Sequence, residues 1–199
     1  ARQEYWQQKA TLHQEFADAR PNVGHQNIAG WQSARLVHAV ITQNIDGLHQ
    51  MAGSDNVLEL HGTARKVACQ DCGTHYAADP YVADFLATNR VPICNDCGSD
   101  RMKHATISFG QALPATVLEE AYRWCERADL LLAIGSSLVV TPAANLPATT
   151  KQCGGRLVII NREPTPLDEM ADAALNSAIG PTLTTLASRA RPAGGNMQS

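Results

Sequence analysis

Residues 129–135, DLLLAIG, and residues 156–161, RLVIIN, decide the fold. Both are short unbroken apolar runs, and a strand that is apolar at every position is one covered on both faces. Residues 142–151 between them have the composition of a short helix, and buried strands separated by helices run parallel. Upstream, LVHAVIT (36–42) is rich in β-branched residues and VLELHG (57–62) alternates with period two, so each reads as a strand, with a long polar loop between them. ATISFG (105–110) reads as a further strand, and Pro114 opens a helix in which Val117, Leu118, Ala121, Trp124 and Ala128 recur at helical spacing. Towards the ends, Trp6, Leu12 and Phe16 give a weak helical stripe broken at Arg20-Pro21, a second helix starts at Asn22, and a last one covers 181–187. The predicted class is α/β, a Rossmann-like, doubly wound parallel sheet.

The chain has 199 residues, a formal charge of −3 and 44% hydrophobic residues, enough for one sizeable core and a small appended module. Lys plus Arg number 16 against 19 Asp plus Glu. That balance lacks the basic excess that draws a protein onto phosphate backbones, so nucleic acid is not expected as a partner. No window approaches the roughly 18 uncharged apolar residues of a membrane span, and the opening ARQEYWQQKA has no signal-peptide pattern. The expectation is an intracellular protein without a membrane partner, cytoplasmic by default, with a nuclear address left open. The chain begins at Ala1 rather than Met, which leaves open a processed N-terminus or an absent leading segment.

Residues 66–104 differ in character, being dense in Cys, Asp, Asn and Gly. They carry Cys69-x-x-Cys72 and, after 21 residues, Cys94-x-x-Cys97, each pair followed by glycine (Gly73, Gly98). A C-x-x-C with a trailing glycine is a knuckle that points two thiolates at one ion, and two knuckles complete a tetrahedral zinc site. The alternative is a pair of redox dithiols; two knuckles at this separation favour the metal. Four thiolates fill the coordination shell, so such a zinc is structural and performs no chemistry. The expected organisation is a cofactor-binding domain from residues 1–65 and 105–190, a small zinc-ribbon insertion at 66–104, and a disordered tail at 191–199.

In a parallel sheet, ligands bind beyond the carboxyl ends of the strands. The polar residues expected there are Gln43, Asn44 and Asp46 in TQNIDGLH (42–49), His61, residues 109–111, Gly135, Ser136 and Ser137, and Asn161. Polar groups on a loop after a buried strand are costly to orient unless a ligand uses them, although Asx turns could also satisfy them. His61 is the general-base candidate by residue type, since imidazole titrates near neutrality; His25, His38 and His49 read as structural. Gly-Ser-Ser between strand and helix offers amides and hydroxyls to a phosphate or ribose, though it is equally an ordinary turn.

Taken in order, these segments resemble the sirtuin family of NAD-dependent protein lysine deacylases. The matches are ARPN (19–22) with His25, TQNIDGLH, LELHG, the two C-x-x-C pairs, SFGQALP (108–114), GSSLVVTP (135–142) and LVIIN (157–161). The resemblance implies NAD as a consumed co-substrate, one structural zinc and an acyl-lysine protein or peptide as partner. It implies that His61 deprotonates a ribose hydroxyl, that Gln43 orients that ribose, that Asn44 holds a water and that Asp46 binds the nicotinamide carboxamide. Gly135, Ser136 and Ser137 would line the phosphate and ribose groups, Asn161 would bond the adenine-side ribose, and Ile179 would lie near the adenine. Ile107, Phe109, Gly110 and Val139 would contact the acyl-lysine, the peptide adding as a strand between the loops after Gly110 and Val139.

The chain departs from the family in two places. The family's first strand, its Gly-Ala-Gly loop and an Asp-Phe-Arg segment have no counterpart here, and Ser108-Phe109-Gly110-Gln111 stands where Phe-Phe-Gly-Glu is more usual. The second departure leaves the acyl preference open. Two other functions are weighed: an ADP-ribosyltransferase or NAD hydrolase on the same fold, and a non-catalytic acyl-lysine binding module. His61 argues against the first, because a base acting on ribose is required by deacylation and less obviously by hydrolysis.

Overall fold

The computed structural model describes residues 1–108 and 110–190, without the side chains of residues 15–17; Phe109 and the tail at 191–199 lie outside the described residues. In chain order the elements are α1 (Arg2–Ala17), α2 (Val23–Ser33), β1 (Val40–Thr42), α3 (Leu48–Met51), β2 (Val57–Glu59), β3 (Gly62–Cys69), β4 (His75–Ala77), α4 (Ala78–Thr88), β5 (Met102–Thr106), α5 (Ala115–Arg127), β6 (Leu130–Ile134), α6 (Leu146–Gln152), β7 (Arg156–Asn161), β8 (Ala173–Asn176) and α7 (Ile179–Arg189). They divide into two units: residues 1–20, 42–48 and 61–113 form one, and residues 21–41, 49–60 and those described from 114 onward form the other.

In the second unit the two apolar runs are β6 and β7, paired in parallel from Leu130 with Arg156 to Ile134 with Ile160. β7 lies between β6 and β8, which is why Leu157, Ile159 and Ile160 are buried and why its sequence shows no polar alternation. β8 also pairs in parallel with β7. β1 and β2 form a separate two-stranded sheet. α2 starts where Asn22 caps it: the Asn22 side chain accepts from the amides of Gly24 and His25, and the His25 ring returns to the Asn22 backbone, so the first turn satisfies its own amides. The helix predicted from Pro114 is α5, and the one predicted over 181–187 is α7, longer by a few residues at its ends.

In the first unit, β3 is the centre of an antiparallel sheet ordered β4-β3-β5. The strand expected over 105–110 is instead Met102–Thr106, antiparallel to β3 rather than a member of the parallel sheet. Its residues decide this: Met102, His104 and Thr106 are buried while Lys103 and Ala105 are not, the alternation of a strand with one covered face. α1 packs within this unit, where Trp6 and Ala10 join Val67, Ala78, Val82, Phe85, Cys94 and Met102 in one core. The Trp6 and Phe85 rings lie 6.0 Å apart, and the Tyr5 hydroxyl accepts from the His104 amide at 3.0 Å.

His104 is 3% exposed, packed 5.5 Å from the Trp6 ring and 5.9 Å from His13, and neither of its ring nitrogens has a hydrogen-bond partner among the described residues. Burial, reinforced by the nearby charges of His13 and Lys9, pulls its pKa down to about 4. The folded protein therefore binds this proton less readily than the unfolded chain, so stability is full above about pH 6.5 and falls as the pH drops towards 4. The loss attributable to this one group is roughly 3 kcal/mol. His104→Leu is expected to flatten that part of the profile, measured as urea midpoints between pH 7 and pH 4; an unchanged slope would assign the acid sensitivity elsewhere.

Candidate active site and metal centre

β3 begins with Gly62, where the backbone crosses the carbonyl of Ala105. A Cβ at this position would stand 2.1 Å from that oxygen, and φ is +69°, so only glycine fits. This close approach brings the Ile107 amide onto the carbonyl of His61 at 2.9 Å and fixes where the imidazole leaves the chain. The His61 Nδ1 lies 3.0 Å from the carbonyl oxygen of Gln43. A carbonyl only accepts, so Nδ1 carries the proton and Nε2 carries the lone pair. The ring is half-buried.

The loop 43–47 is held by backbone groups. The Asn44 amide donates to Thr42 Oγ1 at 3.0 Å, the Ile45 carbonyl accepts from the Ala64 amide at 2.8 Å, and the Asp46 carbonyl accepts from Arg65 Nε at 2.7 Å. Asp46 Oδ1 in turn takes the Leu48 amide at 2.9 Å, an Asx turn that leads into α3. Ile107 is half-buried and Gly110 exposed. The segment between them is closed by Gln111, whose Oε1 accepts from the Ser108 amide at 2.8 Å and from Lys103 Nζ at 3.1 Å. Gln43, Asn44, Asp46, His61, Ile107 and Gly110 thus all belong to the first unit; Phe109 lies outside the described residues.

The other predicted residues belong to the second unit, at the carboxyl ends of β6 and β7. The Gly135 amide donates to the Ile160 carbonyl at 2.9 Å, continuing the ladder by one residue. Gly135 has φ +64°, and a Cβ there would stand 2.8 Å from Ile179 Cδ1, so glycine lets Ile179, at the start of α7, close over this turn. Ser136 Oγ accepts from the Leu138 amide at 3.2 Å, and Leu138 itself is buried with φ +54°. Ser137 is exposed, and Val139 is 61% exposed. Asn161 closes β7 and donates from Nδ2 to the Glu163 carbonyl at 2.8 Å. A glycine turn, two serines and an asparagine at adjacent strand ends suit the phosphates and ribose of a dinucleotide.

Cys69, Cys72, Cys94 and Cys97 place their sulfurs within 4.8 Å of one another. Cys69 and Cys97 are 3.6 Å apart, as are Cys72 and Cys94; a tetrahedron with zinc–sulfur bonds of about 2.3 Å has edges of about 3.8 Å. The two knuckles repeat one pattern. The Gly73 amide donates to Cys69 O and the Cys69 amide to Thr74 O, while the Gly98 amide donates to Cys94 O and the Cys94 amide to Ser99 O. The Tyr76 hydroxyl lies 3.2 Å from Cys94 Sγ and is the main cause that lowers the Cys94 pKa to about 6. The Cys97 pKa is pushed up to about 12: the Ser99 amide lowers it, but the thiols of Cys69 and Cys72 outweigh that effect. Four thiols this close cannot all ionise unaided, and a divalent cation removes the conflict. The donor set fits zinc, and its four sulfurs leave no position for water or substrate.

Two site features escaped the sequence reading. Tyr76 has no spacing signal beyond following a knuckle, and Arg65 reads as an exposed strand charge because its partner is remote in sequence.

A family model described as the Sir2 family matches residues 1–142. The NAD-dependent protein deacetylase of Rhodopseudomonas palustris is 45% identical over 185 residues, which is 92% of this chain and 73% of that protein. A Sir2 solved with a p53 peptide and NAD+ superposes with a TM-score of 0.82 at 39% identity, covering 88% of this chain and 72% of that one. A Sir2 bound to a propionylated peptide gives a TM-score of 0.82 at 38% identity, covering 88% and 73%.

Removing one ligand should empty the metal site. Cys94→Ser is expected to lower the zinc content from near-stoichiometric to a small residue, as read by elemental analysis, and to make the first unit susceptible to proteolysis. Cys153→Ser, at an exposed cysteine outside the cluster, should leave both unchanged.

Proposed function

Because the chain belongs to the Sir2 family, we propose that it is an NAD-dependent protein lysine deacylase, moving the acyl group from a modified lysine to ADP-ribose with release of nicotinamide. The observation that carries this reading is the His61 tautomer: with Nδ1–H committed to the Gln43 carbonyl, Nε2 holds the one lone pair on the ring, as a base acting on a ribose hydroxyl must. An amide oxygen is a poor nucleophile, so the reaction depends on orienting the reactants and excluding water rather than on a protein nucleophile.

The acyl oxygen of the substrate bonds to the anomeric carbon of NAD as nicotinamide leaves with the electron pair of the broken bond. His61 Nε2 then takes the proton of the ribose hydroxyl whose oxygen attacks the former amide carbon, the lysine nitrogen departs as the amine with a proton returned from the imidazolium, and a water adds to that carbon as its bond to the anomeric oxygen breaks, leaving a hydroxyl there and the acyl group on the other ribose oxygen. The products are free lysine, nicotinamide and acyl-ADP-ribose. In this assignment Gln43 orients the ribose, Asn44 holds a water, and Asp46 accepts the nicotinamide carboxamide. Gly135, Ser136, Ser137, Asn161 and Ile179 take the phosphates, the ribose and the adenine, while Ile107, Phe109, Gly110 and Val139 take the acyl-lysine. The zinc of Cys69, Cys72, Cys94 and Cys97 holds its module together. The parallel-sheet domain would bind the cofactor and the cysteine-bearing module would steady the base and the substrate loop. A cytoplasmic setting belongs to the same proposal, since NAD and reduced thiols are both supplied there.

Incubating the full-length protein with an acetyl-lysine peptide and NAD is expected to yield acyl-ADP-ribose by mass spectrometry. Plain ADP-ribose would instead favour a hydrolase or ADP-ribosyltransferase, and no product would favour a binding module. His61→Ala should lower kcat by at least about a hundredfold, the scale of a lost general base, with zinc content retained.

A further inference from the structure

Arg65 lies four residues beyond His61, and its side chain turns back over the loop that carries the proposed cofactor contacts. Its Nε donates to the Asp46 carbonyl at 2.7 Å. The stem runs along Gly47, where an added Cβ would meet Arg65 Cγ at 3.0 Å and Nε at 3.5 Å, and where φ is +69°. Gly47 therefore both makes the turn and leaves room for the arginine. The Arg65 amide donates to Thr63 Oγ1 at 3.2 Å, which steadies the backbone from which the side chain leaves.

Three consecutive anchor points result. His61 Nδ1 holds the Gln43 carbonyl, the Ala64 amide holds the Ile45 carbonyl, and Arg65 holds the Asp46 carbonyl. The first two are set by the backbone path around Gly62, whereas the third depends on one long side chain that is only half-buried. The Asp46 carboxylate is tied through Oδ1 to the Leu48 amide, so holding the Asp46 carbonyl steadies the backbone between the carboxylate and the amide that orients it.

We propose that Arg65 is a positioning residue for the reaction: by donating to the Asp46 carbonyl and lying against Gly47, it holds the Asp46 carboxylate where the nicotinamide carboxamide is taken. The inference rests on the deacylase reading. It locates the effect on nicotinamide and NAD rather than on the acyl-lysine, and in the hydrogen bond rather than in the positive charge.

Two variants separate those contributions. Arg65→Met keeps an aliphatic stem of the same reach and puts a methyl where Nε stood; Arg65→Gln puts an amide NH2 at that bond count and removes the charge. In the full-length protein, Arg65→Met is expected to raise KM for NAD and the nicotinamide inhibition constant about five- to tenfold, the scale of one lost hydrogen bond. KM for the peptide, zinc content and Tm should stay close to wild type, and Arg65→Gln should restore most of the loss. Hydrogen exchange at the Gly47 and Leu48 amides, read without ligand, should accelerate in Arg65→Met and not in Arg65→Gln. Equal effects of the two variants, a parallel rise in peptide KM, or unchanged KM for NAD in Arg65→Met would overturn the proposal while leaving the deacylase reading in place. A wild-type protein with no NAD-dependent turnover would overturn both.

Discussion

The approach of Gly62 to the Ala105 carbonyl is the constraint from which the first unit takes its form. No side chain fits between these two stretches of backbone, so β3 and β5 meet there at closer range than an ordinary ladder allows, and their register shifts between Gly62 and Val67 before regular pairing resumes. The irregularity has a chemical consequence. It puts His61 outside the ladder proper, with its carbonyl bound to the Ile107 amide and its ring turned to the loop after β1. Regular pairing from the first residue would instead have committed His61 to the alternation of a strand, with its side chain fixed by the pleat rather than by the Gln43 carbonyl.

The same strand ends at Cys69, so one eight-residue element has the proposed base immediately ahead of its start and a metal ligand at its end. This explains why a zinc without an open coordination site can still matter to the chemistry. In the core of the first unit Trp6 and Phe85 are buried and Tyr5, Tyr76 and Tyr81 pack against it, and the knuckles add what that core does not: four chain positions fixed to one another through a single ion. Across them Thr74 Oγ1 donates to Asp96 at 2.8 Å and Arg101 pairs with Asp71 at 2.6 Å, partly exposed contacts of small individual worth. A strand anchored by metal at one end and by a glycine crossing at the other has little freedom to slide, and sliding by one residue would reverse the faces of all its side chains.

How much of this was legible in the sequence depended on whether a residue's role was local. β7 was read to the residue and β6 nearly so, because burial on both faces leaves an unbroken apolar run. The helix starts at Asn22 and Pro114 were legible because caps act within one turn. β8 was not, since AALN lacks β-branched residues and becomes a strand only by lying along β7. α4 was hidden among the cysteines, its Val82 and Phe85 being too few to set a period by themselves. At the site, the cysteine spacing announced the metal and residue type singled out His61, but the tautomer that suits the proposed base depends on a carbonyl 18 residues away, and the Arg65 hydrogen bond spans 19. Such contacts leave no periodic trace.

The division between what holds the loop and what faces the ligand follows from the same geometry. The fixings of residues 43–47 fall on peptide groups: the carbonyls of Gln43, Ile45 and Asp46 and the amide of Asn44. A peptide carbonyl as the partner of His61 suits a base better than a carboxylate would in one respect. It orients the ring through Nδ1 and, being an acceptor only, cannot take the proton from it. This anchoring depends little on which side chains the loop bears, apart from Gly47 and from Asp46, whose Oδ1 takes the Leu48 amide. A loop whose backbone is held this way can carry the side chains to which the proposed function assigns a ribose, a water and a carboxamide.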